Sequence, residues 1–208
     1  MTTAPLILHY APDNASLVVR LALEETEVPY QSVLVDRRRS EQRDPAYLRL
    51  NPNGLIPVLQ TPDGAIFETA AVLLWLTERT DGLGPAPTDA ARSDFLKWLF
   101  FLSNTLHPAL RILFYTEKYI GPDAEAQNLL VAKTQQSELR HLSTLDDRWP
   151  EAEPHLALIL YLAPMMRWMQ LYPATRDKSW IDLTRFPALY DAAQKVETRT
   201  SAKRAAAA

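Results

Sequence analysis

The sequence predicts two units: a mixed α/β domain over residues 1–81 and an all-α domain over residues 89–208, joined by a linker at 82–88. Three observations carry this. The first eighty residues alternate short apolar runs with helical ones, in the order strand, helix, strand, then strand, strand, helix. The segment at 81–88, DGLGPAPT, holds two glycines and two prolines, a composition that interrupts regular structure. Everything beyond it has helical periodicity.

Taken in order, Leu6–Tyr10 is a short apolar run and reads as a buried strand. Asp13 and Asn14 each offer a side-chain acceptor to an orphan N–H, so either can cap the next helix. There Ala15, Val18, Leu21 and Ala22 recur at helical spacing, and Glu24 and Glu25 close the run. Residues 30–35 are β-branched and aromatic enough for a second strand. So short a strand–helix–strand run reads as a βαβ unit with a parallel pair. Arg37, Arg38 and Arg39 open a solvated loop, and Asn51-Pro52-Asn53-Gly54 is a dense turn signal. Residues 57–60 and 65–67 are two strands around Pro62-Asp63-Gly64, a hairpin turn. From Glu68 the pattern turns helical, with Ala71, Leu74 and Trp75 as its apolar positions. Past the linker, residues 94–119 put Phe95, Trp98, Leu99, Leu102, Leu106 and Leu110 on one broad face. Pro108 is expected to kink that helix. Residues 124–145 and Leu156–Leu171 are further helices, and the alanine tail at 202–208 reads as a helix end.

Composition narrows the function. With 47% hydrophobic and 23% charged residues and a net charge of −3, the 208-residue chain is an ordinary globular one. It lacks the basic excess that displaces counterions from nucleic acid. It has no cysteine, so no thiolate metal site and no cysteine nucleophile of its own. The four histidines are scattered, and no metal centre is expected. No apolar stretch reaches the ~20 residues a membrane span needs; the run at 155–166 is too short and meets Arg167. A cytoplasmic protein is expected.

The strings that stand out are Leu21-Ala22-Leu23-Glu24-Glu25 with Val28-Pro29-Tyr30, Asn51-Pro52-Asn53-Gly54-Leu55-Ile56-Pro57-Val58-Leu59, and Phe67-Glu68-Thr69-Ala70-Ala71-Val72-Leu73. In this order and at these separations they resemble the soluble glutathione transferase superfamily, bacterial type. Trp98 to Tyr115 extends the likeness into the second unit. The resemblance implies a thioredoxin-like first domain with a mixed four-stranded sheet, and a twofold homodimer. The large apolar content of residues 67–76 and 94–110 suits such an interface. Glutathione is implied as co-substrate and a small hydrophobic electrophile as its partner.

The same resemblance implies a binding site. Pro57 would be a cis-proline, turning the Ile56 backbone outward to pair with the cysteinyl backbone of glutathione. Thr69 would bind the γ-glutamyl carboxylate at a helix N-terminus, Glu68 the ammonium, and Asn53 a further ligand atom. Glu68 and Thr69 also suit a plain helix start. An arginine of 37–39 would reach the glycyl carboxylate. Trp98, Leu102, Leu106, His107 and Tyr115 would line the electrophile pocket, although such positions are core by default.

Glutathione chemistry needs the thiolate of a group whose free pKa is about 8.5, and the family stabilises it at the start of the first helix. At the position where some classes carry Cys or Asn, this chain has Ala15, which has no side-chain donor. Ser16, Tyr10 and Asn14 are the candidate substitutes, and a non-catalytic binding module is the alternative. The core helix of the second domain departs too: His155-Leu156-Ala157-Leu158 stands where the family carries a Ser/Thr-x-x-Asp capping box.

Overall fold

The computed structural model describes residues 5–149 and 154–207; Met1–Ala4, read as leading straight into the first strand, and Ala208 of the alanine tail lie outside them. The α/β part runs β1 (Leu6–Tyr10), α1 (Ser16–Thr26), β2 (Tyr30–Leu34), a tight turn at Glu41–Arg43, α2 (Pro45–Leu48), β3 (Val58–Thr61), β4 (Gly64–Phe67) and α3 (Thr69–Thr77). The sheet order is β2-β1-β3-β4. β1 is parallel to β2, from Leu6 opposite Tyr30 to Tyr10 opposite Leu34, and antiparallel to β3. β3 and β4 form the hairpin. This is the mixed four-stranded sheet of a thioredoxin-like domain.

Helix α1 buries Val18, Val19, Leu21, Ala22 and Leu23. Helix α3 buries Ala70, Val72, Leu73, Leu76 and Thr77, whereas Ala71 is exposed and Leu74 and Trp75 are half-buried. The apolar positions read from the sequence are therefore not its buried face. Residues 70–76 are apolar all round, so their pattern carries no phase, and packing chooses the face.

The helical part comprises α4 (Arg92–Phe101), α5 (His107–Phe114), α6 (Thr116–Ile120), α7 (Ala124–Arg148), α8 (Leu156–Leu171), α9 (Pro187–Glu197) and α10 (Thr200–Ala207). The single helix expected over 94–119 is broken. Leu102–Leu106 forms a π-helical turn between α4 and α5, and Pro108 falls in the first turn of α5. There the missing N–H leaves a carbonyl of the preceding turn without its ladder partner, and the widened turn accommodates the proline ring. None of the described helices is long and apolar enough to cross a membrane.

One continuous core joins the two parts, running from Leu8, Leu21 and Leu73 through Leu99 and Leu102 to Met165 and Leu189. The linker takes part in it: Leu83 is buried, and Gly84 is packed so closely that a Cβ would stand 2.8 Å from Thr77 and 3.2 Å from Phe95. The missing capping box of α8 has a replacement there. The Ala157 N–H donates to the Leu83 carbonyl at 2.9 Å, and Leu158 N–H to His155 at 2.9 Å. A main-chain acceptor from the linker does what a capping side chain does elsewhere.

Candidate functional site

A cavity of about 200 Å³ lies where the sheet domain meets the helices. Its first wall is built from three loops. Ala15 stands at the start of α1; Leu55, Ile56 and Pro57 lead into β3; Glu68 and Thr69 open α3. The Ile56–Pro57 peptide is cis. Asn51, 2% exposed, braces the middle loop: its Nδ2 donates to the Leu55 carbonyl at 2.8 Å and its Oδ1 accepts from Asn53 N–H at 3.0 Å. The Tyr47 hydroxyl donates to the same carbonyl at 2.7 Å. Glu68 is held at φ 72°, a backbone region that costs a non-glycine residue about 1–3 kcal/mol and is concentrated at ligand sites. It leaves the Glu68 side chain exposed and the buried Thr69 at a helix N-terminus, where N–H groups attract anions.

The second wall is helical: Ser103, His107, Pro108 and Arg111, with Tyr161 of α8 behind them. His107 Nδ1 is 3.0 Å from the Tyr161 hydroxyl, and the His107 ring leans on Trp168. Burial, with the neighbouring Arg111 charge, pushes the His107 imidazole down to about 4. His107 is thus neutral at pH 7. Burial first, and then the charge of Glu68, raises the Tyr161 phenol, which also meets the Thr69 side chain. It stays protonated, available as a donor.

The loop from β1 to α1 is organised by its polar side chains. Asn14 Oδ1 accepts from Ser16 N–H at 2.8 Å and from the Ser16 hydroxyl at 2.6 Å. Ser16 Oγ also lies 3.1 Å from the Ala11 carbonyl and accepts from Ala11 N–H at 3.3 Å. Asp13, read as a possible helix cap, does something else. At φ 47° its carboxylate turns to α8 and its end, accepting from Trp168 Nε1 at 3.0 Å, Arg167 at 3.3 Å and the Tyr172 hydroxyl.

Of the residues expected at a site, Ile56, Pro57, Glu68, Thr69 and His107 share this one cavity with Ala15. Asn53 is exposed and does not line it. Trp98 and Leu102 are 8% and 0% exposed and belong to the core. Leu106 is core too, while the Tyr115 hydroxyl accepts from Arg37 at 3.1 Å. Tyr10 and Ser16 line a different cavity, and the Asn14 amide oxygen is held by Ser16. Sequence reasoning passed over Asn51, Ser103, Arg111 and Tyr161. Arg111 was findable: four residues after His107, it shares that helix face. Among the described residues no His/Asp/Glu group gathers as a metal site would require.

A family profile described as "Glutathione S-transferase, N-terminal domain" matches residues 15–79. The chain is 28% identical over 190 residues to glutathione S-transferase GST-4.5 of Xanthomonas campestris, covering 88% of each. It is 29% identical over 201 residues to the disulfide-bond oxidoreductase YfcG of Escherichia coli, covering 92% of this chain and 90% of that one. A glutathione transferase of Burkholderia graminis, solved with two glutathione molecules bound per subunit, superposes with a TM-score of 0.83 at 26% identity, over 97% of this chain and 87% of that one.

Proposed function

The chain belongs to the glutathione transferase superfamily, and we propose on that footing that it binds glutathione in the interdomain cavity and uses its thiol to conjugate or reduce a small electrophile, as a cytoplasmic homodimer. The observation that carries this reading is the convergence of Ala15, Ile56, Glu68 and Thr69 on one cavity, opposite His107 and Tyr161. Thr69, through its N–H and Oγ, takes the γ-glutamyl carboxylate. Glu68 takes the ammonium, and the Ile56 main chain pairs with the cysteinyl unit. The electrophile meets a polar wall at Ser103, His107 and Arg111, with Trp98 and Leu102 behind it in the core. The Xanthomonas relative is named for transfer and the Escherichia coli relative for disulfide chemistry, which keeps both reactions within one reading.

Thr69→Ala and Glu68→Ala are each expected to weaken glutathione binding about tenfold, since a hydrogen bond to a charged group contributes about 1.5–3 kcal/mol. Calorimetric titration reads this directly. Unchanged affinity in both variants would remove the site.

A second reading, a module that binds glutathione without turning it over, is favoured by one observation. Ala15 brings only a methyl group and its main chain to the cavity, and the Ser16 hydroxyl is engaged by Ala11 and Asn14 instead. In the catalytic reading the thiolate rests on main-chain N–H groups and the positive end of α1. The thiol of bound glutathione should then titrate about one unit below 8.5, followed by thiolate absorbance, with turnover of a generic electrophile. An unshifted titration without turnover selects the binding-only reading.

A further inference from the structure

A second and larger cavity, about 640 Å³, lies beside α1 and is walled by α8, α9 and α10. Leu17, Leu21, Ala163, Pro164, Val196 and Ala205 make most of its lining apolar. Arg20 forms its floor and is itself only 5% exposed. The Arg20 guanidinium lies over the Tyr10 ring, 4.0 Å from its centroid. Its Nη1 and Nη2 make only long bonds, 3.4 Å to the Ala205 carbonyl and 3.3 Å to Ser32 Oγ, and its Nε has no hydrogen-bond partner.

Among the described residues no carboxylate stands within 4.0 Å of that guanidinium. Glu24, one helical turn away, is committed to Arg204, and Glu25 to Arg199. An arginine keeps its charge in any environment a protein offers. A buried cation without a counter-charge is costly, and a carboxylate in bidentate geometry offsets that cost. At the cavity edge Lys203 is exposed and makes no ion pair with a described residue, and Arg167 is shared with Asp13. Glu197 is the remaining acid on the lining.

We propose that this cavity binds an amphiphilic carboxylate, a free acid on an apolar chain or ring. Its carboxylate pairs with Arg20 and Lys203 while its apolar body runs between α1 and α8. The volume is that of a small-molecule site, and the mix of apolar lining with a few placed charges is what such sites use. The cavity is separate from the one that holds Thr69 and His107, so the inference stands or falls independently of the glutathione reading.

The test is calorimetric titration of the full chain with octanoate, octanol and octylamine, each with and without saturating glutathione. Octanoate is expected to bind with one-to-one saturation, at least tenfold tighter than octanol and unaffected by glutathione, with octylamine weakest. Arg20→Met should lower octanoate affinity tenfold or more. Because Arg20 is buried, Ala163→Phe supplies a second variant that fills the cavity while leaving Arg20 in place; it should abolish octanoate binding and spare glutathione binding. Octanoate and octanol binding alike, the absence of saturable binding, displacement of octanoate by glutathione, or full binding in both variants would each overturn the proposal.

Discussion

Replacing Glu138 by glutamine is expected to raise thermal stability at pH 8 and to do little at pH 5. Glu138 sits on α7 with no exposed surface, and neither carboxylate oxygen has a hydrogen-bond partner among the described residues. His141 Nδ1 stands 3.6 Å away, outside hydrogen-bond range. Burial pushes the carboxyl up to about 7 from 4.5, with His141 opposing. The folded state therefore holds its proton where the unfolded chain has lost it. Stability falls as pH rises from about 4.5 to 7, and the full loss persists above that window. A shift of that size corresponds to about 3 kcal/mol. A glutamine, neutral throughout, escapes it, which for a chain of this length is a gain of roughly 6–12 °C in Tm at pH 8. Comparing the two pH values cancels whatever the new amide group costs by itself. An equal Tm difference between variant and parent at pH 5 and pH 8 would show that the carboxylate is not charging inside the protein.

Asp13→Ala should cost about 3 kcal/mol, because one truncation removes the acceptor of Trp168, Arg167 and Tyr172 together. Its side chain is 25% exposed, which keeps the loss below the sum of three charge-assisted bonds. Asp13→Asn keeps the Oδ1 acceptor for Trp168, loses the Oδ2 acceptor of Tyr172 and Arg167, and should lose less than Asp13→Ala. Urea denaturation followed by tryptophan fluorescence separates the two variants. Equal losses would mean that the left-handed backbone at φ 47°, and not the carboxylate, sets the energetics of this loop.

The fold was legible where local pattern and tertiary need coincide. The βαβ–ββα order and the turn at Asn51-Pro52-Asn53-Gly54 follow from short-range chemistry. What the sequence hid were choices made between elements. The uniformly apolar run of α3 has no periodicity from which to read a face. The π-helical turn before His107 is a response to Pro108 that no propensity encodes. At the site, Ile56, Glu68 and Thr69 were named because they occupy loop and helix-start positions with a distinctive string. Tyr161 was not, because a tyrosine in an apolar helix looks like core until a partner such as His107 is placed against it. Ser16, named for a hydroxyl at the start of α1, lines the other cavity, and its hydroxyl is bonded within its own loop.

The bond from Ala157 to the Leu83 carbonyl has a bearing on how far the two halves are interchangeable. Helix α8 has no capping side chain of its own to complete its first turn, so it takes a main-chain acceptor from the stretch that a modular view treats as mere tether. A recombinant chimera that joins these helices to another sheet domain must import residues 82–88 with them. A cut placed after that stretch would strip the central helix of its anchor, and the excised half would begin life with a frayed end at its most buried element.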